Sequence, residues 1–288
     1  MIDLHCHSHI SDGALPPEDV VALAAKNGCT MLALTDHDHT GGLAAARSAA
    51  QQHNIRFING VEISVTWRGR TIHMVGLDFD EHESSLQSLL AQLRQGRIER
   101  MEKIGAKLAK RGIEGAAAGA LSLAANPEMV SRTHMAQWLV QQGLVRNKQA
   151  AFTQFLGEGK CAAVHHQWAE LADAVAAVRA AGGLAVIAHP MRYDLSATAR
   201  RQLFEEFKQL GGHGIEVHSS NCSLGDRLNY ALLAQRYGLL ASLGSDFHQE
   251  GGYSGAMVGI CPELPPTCEP VWKHFRQRIT ERKKQPAR

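Results

Sequence analysis

The 288-residue chain has no paired Cys-x-x-Cys spacing, no uncharged apolar run of membrane-spanning length, and almost no net charge. Each absence removes a class. Six cysteines, at 6, 29, 161, 222, 261 and 268, are too scattered for a disulfide scaffold at this length. A transmembrane helix needs about 18 or more apolar residues in a row, and the first residues lack the basic and apolar segments of a signal peptide. A cytoplasmic, membrane-independent protein with no obligatory protein partner is therefore expected. Thirty basic and 28 acidic side chains leave a formal charge of +2, so no global field points to a nucleic-acid coat.

What is abundant is histidine, 16 residues, more than core packing needs. The first cluster comes at once, in Ile2-Asp3-Leu4-His5-Cys6-His7-Ser8-His9-Ile10-Ser11-Asp12-Gly13. Read as a short strand, it places His5 and His7 on one face, and the Ser-Asp-Gly turn brings Asp12 back toward them. A lone His-x-His also serves as a structural pair, so the weight falls on whether later segments supply matching donors.

Pro16 and Pro17 suit a helix start, with Glu18 and Asp19 near its positive end. A buried strand from Cys29 to Leu34 delivers Thr35-Asp36-His37-Asp38-His39. After a helix near 42–53, strands at 55–65 and 71–77 carry Glu62 and His73. Apolar residues then recur at helical spacing from Leu86 to Leu108, and no strand is evident between Gly112 and Gly159. Strand and helix alternate again from Ala169. Strands at 184–188, 214–218 and 239–243 lead to His189-Pro190, His218 and Gly244-Ser245-Asp246-Phe247-His248, and a last helix is expected over 271–284. The alternation argues for an α/β fold with chemistry at strand C-terminal ends. Residues 1–98 and 166–288 read as a barrel domain, and 99–165 as a helical insertion.

The candidate metal ligands are His5, His7, Asp12, His37, Glu62, His73, His134, His189, Asp246 and His248. Mixed imidazole and carboxylate donors suit Mn, Fe, Zn or Mg. Ten donors are too many for one ion, so some orient others or several cations sit together. A carboxylate such as Glu62 can bridge two cations.

Taken together, Asp3-Leu4-His5-Cys6-His7, Ser11-Asp12-Gly13, Leu34-Thr35-Asp36-His37-Asp38, Gly60-Val61-Glu62, His73-Met74-Val75-Gly76, Arg132-Thr133-His134, Ala188-His189-Pro190 and Gly244-Ser245-Asp246-Phe247-His248 resemble the PHP (polymerase and histidinol phosphatase) family of metal-dependent phosphoesterases. The match runs in family order along most of the chain. It implies a distorted (β/α)7 barrel with a small inserted helical domain and two or three divalent metals, manganese first among the candidates. It further implies His5, His7, Glu62 and Asp246 on one metal, Glu62, His73 and His134 on a second, and Asp12, His37 and His248 on a third. The family often has histidine at the position of Asp12.

Within the family the chain resembles the nucleoside 3',5'-bisphosphate phosphatases, whose relatives trim short 5'-phosphorylated RNA. The implied reaction is hydrolysis of the 3'-phosphate, with Glu62 bridging metals and His189 or His248 assisting at the phosphoryl group or departing oxygen. Ser131 and Arg132 would grip the 5'-phosphate. His218 is an equally open choice between ligand contact and structure. Asp36, Asp38 and His39 are read as groups orienting His37. Trp67, Arg68 and Arg70 form either a substrate rim or an exposed hairpin tip. His9 has no assigned role, His165 and His166 are read as hinge or surface, and Arg282-Lys283-Lys284 as solvated. The alternatives are a 5'-to-3' exoribonuclease, a histidinol-phosphate phosphatase, and a non-catalytic metal-sensing or polymerase-associated module.

Overall fold

The computed structural model describes residues 1–251 and 255–276. Eight strands and nine helices alternate among them as β1 (Ile2–Asp3), α1 (Pro17–Lys26), β2 (Met31–Leu34), α2 (Leu43–Gln52), β3 (Arg56–Trp67), β4 (Arg70–Leu77), α3 (Ser84–Ala109), α4 (Ala116–Leu123), α5 (Arg132–Gln141), α6 (Lys148–Ala151), β5 (Ala169–Glu170), α7 (Leu171–Ala180), β6 (Leu184–Ile187), α8 (Ala197–Gln209), β7 (Gly214–Ser219), α9 (Leu224–Tyr237) and β8 (Leu240–Gly244). Seven strands form a circuit in the order β1-β2-β3-β4-β6-β7-β8, while β5 pairs with β3 off that path. Neighbours are parallel except at β4, which runs antiparallel to both β3 and β6. This reversed strand is the distortion of the barrel. The circuit closes through the Leu4 N–H to the Leu243 carbonyl at 3.1 Å and the Asp246 N–H to the His5 carbonyl at 2.7 Å.

Local chemistry sets the element ends. Pro17 opens α1 and Lys26 lies in its last turn, each suited to its end of the helix. The Glu83 side chain caps α3 by accepting from Leu86 N–H, and Ser223 caps α9 by accepting from Asp226 N–H.

Period-two alternation then separates two apolar layers. Leu4, Ala33, Ile58, Val75, Leu77, Val186 and Ala188 form one buried cluster inside the strand circuit, with Val271 and Phe275 added to it. Leu32, Leu34, Ile63, Ile187 and Ile215 belong to a second cluster, shared with helix residues such as Val20, Val21, Leu90 and Phe204. Glu62 shares the face of Ile58, and His73 that of Val75 and Leu77, so the polar donors sit one layer above the inner apolar cluster.

A third cluster, from Met101 to Ala162, packs α3, α4 and α5 together. The long helix α3 belongs to two cores, through Leu86, Leu90 and Leu93 at one end and Met101, Ile104 and Leu108 at the other.

Two elements differ from expectation. The opening strand ends at Asp3, and Cys6 forms an isolated bridge to Phe247 while its carbonyl accepts from the Thr35 N–H at 2.9 Å. Residues 271–274 form one 3-10 turn in place of a long helix, after which Phe275 turns extended. Val271 in that turn and Phe275 just after it both join the inner cluster. The rest of the expected helix, including Arg282-Lys283-Lys284, lies outside the described residues.

Candidate metal centre

Glu62 organises the site. Its carboxylate is 1% exposed and faces imidazoles from five chain positions. Oε2 lies 3.2 Å from His5 Nε2, 3.2 Å from His7 Nε2 and 3.1 Å from His37 Nδ1. Oε1 lies 2.9 Å from both His73 Nδ1 and His189 Nε2. Asp246 Oδ1 adds contacts of 3.4 Å to His5 and 3.2 Å to His7. Asp12, half-exposed at the rim, reaches His248 Nε2 at 3.3 Å and His37 Nε2 at 3.8 Å.

Donor atoms within 4.8 Å of one another define three groups that could hold a cation: His5, His7, Glu62 and Asp246; His37, Glu62 and His73; and His7, Asp12, His37 and His248. A neutral imidazole offers one lone pair, so His7 and His37 can each serve one group at a time. The carboxylate of Glu62 can serve two.

The donors fit a cation better than they fit each other. Glu62 Oε2, His7 Nδ1, His37 Nδ1 and His73 Nδ1 are buried yet make no directed hydrogen bond, despite the close approaches. Lone pairs converging on a shared point explain both observations, since buried polar atoms are otherwise paired.

The electrostatics report the same crowding. Burial pushes the Glu62 carboxyl up, but the charges of His37, His5 and His73 hold it well below the usual range. Burial pushes His7 down, while hydrogen bonds to Asp246 and Glu62 raise it to about 10. His37 falls to about 3 through burial, against the pull of Glu62 and Asp12. Without cations, the carboxylates thus draw protons into the cluster, and cations must displace them.

His134 is not brought into these groups. It stands at the start of α5, where its Nδ1 accepts from the Ser131 N–H at 3.0 Å in a capping box. His37 takes the place beside Glu62 and His73 that the resemblance gave to His134. His218 points to Cys222, whose Sγ is 3.2 Å from its Nδ1, and burial with the nearby Arg227 charge lowers it to about 4. Its placement favours the structural choice. His189 joins the cluster from a backbone with φ 29° and ψ 54°.

The groups expected to orient His37 do other work. Asp36 accepts from Ser8 and Ser11, fixing the turn after His7. Asp38 accepts from Ser64 and from Arg97. His39 accepts from the Gly41 N–H and faces Glu128. Arg68 stacks on Trp67 and bonds Gln202 of α8, so the hairpin is docked on the outer helices. His166 packs edge-on against Trp168.

Several neighbours carried no sequence signal. Arg192 donates to Asp246 Oδ2, leaving Oδ1 for the cluster. Glu216 Oε1 is 2.7 Å from His5 Nδ1. Beside Asp12, His37 and His73 opens a cavity of about 350 Å³, walled by Arg97, Arg100, Ser131, Arg132, Phe152 and Trp168. Arg132 lies over Phe152 and Arg100 over Trp168, each guanidinium backed by a ring. Burial lowers both, and the Arg132 and Arg97 charges press further on Arg100, to about 10. Arg97 is neutralised by Asp38, whereas no carboxylate within ion-pair reach of Arg100 or Arg132 is found among the described residues.

Overlapping His and carboxylate groups, most of them just past strand C-terminal ends and joined by Glu62 and His73 from within β3 and β4, beside an anion-attracting cavity, define a metal-dependent hydrolase. The chain belongs to the PHP domain family, whose model matches residues 3–180, and it has the fold of that family's metal-dependent phosphoesterases. It is 49% identical over 278 residues, 96% of this chain and 97% of the relative, to a 3',5'-nucleoside bisphosphate phosphatase of Chromobacterium violaceum. A 5'-3' exoribonuclease of Haemophilus influenzae is 42% identical over 273 residues, 95% of this chain and 98% of its own. Among solved structures, an amidohydrolase from Chromobacterium violaceum with bound sulfate and no metal has a TM-score of 0.86 at 49% identity, over 95% of both chains. No helix among the described residues is long and apolar enough to cross a membrane.

Proposed function

We propose that the protein removes the 3'-phosphate from nucleoside 3',5'-bisphosphates, giving a nucleoside 5'-monophosphate and phosphate. The observation that carries this reading is the cavity beside the metal groups, with Arg100 and Arg132 facing it uncompensated. A substrate phosphorylated at both ends would place one phosphate on the metals and the other between those arginines and Ser131. The 49% identical bisphosphatase supports the same substrate class.

His5, His7, Glu62 and Asp246 would hold one divalent cation, Glu62 and His73 a second, and Asp12, His37 and His248 a third. Because His37 has a single lone pair to give, the second group is a donor short, and His134 would complete it only by releasing the α5 cap, where its one lone pair, on Nδ1, accepts from the Ser131 N–H. Manganese suits these mixed donors, with the carboxylate of Asp12 favouring a hard ion. Bound cations would offset phosphate charge and lower the pKa of an attacking water.

The chain's own groups do the rest. Glu62 would hold neighbouring cations with its two carboxylate oxygens. His189, 2.9 Å from Glu62 Oε1, or His248 at the rim where no cation takes its lone pair, would hydrogen-bond a phosphoryl oxygen or assist the departing 3'-oxygen. Residues 99–165 act as an inserted domain that covers the site and excludes water. Arg132 and Ser131 orient the substrate, so positioning and charge compensation supply most of the rate.

Exoribonuclease action on short 5'-phosphorylated RNA is the second reading, favoured by the Haemophilus relative. The cavity wall gives a histidinol ammonium no carboxylate outside the metal groups. The test compares kcat/KM of manganese-loaded protein on adenosine 3',5'-bisphosphate, 3'-AMP, histidinol phosphate and a 5'-phosphorylated RNA trimer. The bisphosphate should lead, and Arg132→Ala should erase its lead over 3'-AMP. Equal turnover of 3'-AMP by the unaltered protein, or a preference that survives the substitution, sinks the reading.

A further inference from the structure

Glu216 is a fully enclosed carboxylate, 1% exposed, within β7. Its Oε1 stands 2.7 Å from His5 Nδ1, and its Oε2 accepts from the His189 backbone N–H at 2.6 Å. The β7–β8 register shifts between Glu216 and His218. Ile215 and Val217 on either side of Glu216 join the outer apolar cluster, so alternation along β7 turns Glu216 inward, under two of the site's imidazoles at once.

We propose that Glu216 is a positioning residue for the metal centre, fixing the tautomer of His5 and the turn that presents His189. The inference rests on the metal-centre reading above. A carboxylate only accepts, so the proton between it and His5 belongs to Nδ1, and Nε2 keeps its lone pair for the four-donor group. Nε2 is the nitrogen that faces His7, Glu62 and Asp246. The second oxygen holds the His189 N–H, and the following Pro190 carbonyl accepts from Tyr230 Oη at 2.9 Å. A non-glycine residue at φ 29° needs such external restraint to persist. One buried carboxylate therefore sets both a cation donor and a phosphate-side imidazole.

Glu216→Gln separates these functions from simple space filling. The carboxamide has one acceptor oxygen and one amino group. If the oxygen takes the His189 N–H, the amino group faces His5 Nδ1 and drives the imidazole proton to Nε2, into the cation site. If the oxygen takes His5, the amino group opposes the His189 N–H. Neither arrangement satisfies both.

The measurement is manganese uptake by the full chain, as stoichiometry and affinity, alongside the thermal midpoint in chelator. Glu216→Gln should weaken binding at the His5 group about 10- to 100-fold, the usual effect of losing such an orienting partner. It should lower kcat more than it raises KM, with little change in the chelated midpoint. Unchanged uptake by Glu216→Gln in a protein that binds manganese normally overturns the assignment. A second readout needs no variant: in zinc-loaded unaltered protein, nitrogen-15 imidazole spectra should show His5 protonated at Nδ1 and ligated through Nε2. Ligation through Nδ1 overturns the proposal even if Glu216→Gln does not fold. An unaltered protein that takes up neither manganese nor zinc sinks the metal-centre reading together with it.

Discussion

His73 Nδ1 on β4 lies 2.9 Å from Glu62 Oε1 on β3, although the strand register pairs Glu62 with Val75 and His73 with Ser64. The two are diagonal neighbours on one face of an antiparallel pair, a separation that long side chains span. The reversed strand β4 is what creates the diagonal. It brings an imidazole onto the carboxylate oxygen that His5 and His7 do not face.

Glu62→Gln keeps the shape of that centre and removes the charge. Phosphatase activity should fall by more than about 10³-fold, at the upper end of losses from a single electrostatic group. Bound manganese should drop below the unaltered stoichiometry. Metal analysis after gel filtration checks the second statement independently of turnover.

Arg100→Met keeps most of the stem on Trp168 and removes the guanidinium. Charge-assisted hydrogen bonds contribute about 1.5–3 kcal/mol, so KM for a 3',5'-bisphosphate should rise roughly 10- to 100-fold. Turnover of 3'-AMP should barely change. The difference should shrink as salt is raised, because screening weakens the interaction in the unaltered protein.

Gly244 leaves no room for a side chain. A Cβ there would stand 2.2 Å from the His5 Cβ. Gly244→Ala should lower the thermal midpoint by several degrees, consistent with an overpacking cost of about 1–3 kcal/mol, and reduce metal uptake by displacing His5. Gly225→Ala, in the first turn of α9, meets only Ser223 Oγ at 3.6 Å. It should leave the midpoint unchanged or raise it. Differential scanning calorimetry of both variants provides the contrast.

His218 gives the stability a pH dependence with a defined sign. Burial and Arg227 lower it from 6.5 to about 4 in the folded chain, with Glu216 opposing. Between about pH 6.5 and 4 the unfolded chain binds a proton that the folded chain refuses, so stability falls as pH falls through that window. In chelator, urea midpoints of the unaltered protein should drop from pH 7 to pH 5. His218→Gln should show a smaller drop, and equal drops would show that His218 does not titrate this way.

The barrel rhythm was legible because alternating and helical apolar periods are written along the chain, from Val20 and Val21 in α1 to the β8 run. Most donor residues were legible because imidazoles and carboxylates collect just past strand ends, while Glu62 and His73 lie within β3 and β4. Other features were not. Glu216 sits in a run that reads as ordinary alternation, and nothing in that run says that its inward face meets His5, which comes from the other end of the chain. Arg97 and Arg100 look like the solvated face of a long helix until Trp168 packs against them. Residues 271–276 read as the start of a helix, but they form one 3-10 turn that ends at an extended Phe275. His134 reads as a donor by its motif, while the local demand of the α5 cap takes its Nδ1.

Helix α3 runs unbroken for 26 residues, about 39 Å at 1.5 Å per residue, and is shared by two cores. Mechanically it is a cantilever, clamped in the barrel by Leu86, Leu90 and Leu93 and loaded at its tip by the smaller core. Arg94 and Arg97 stand beside the clamp and grip the carbonyl and carboxylate of Asp38, next to His37. Through these two arginines the stem of the cantilever is tied directly to the loop that carries His37, so the smaller core and the metal centre share one mechanical support.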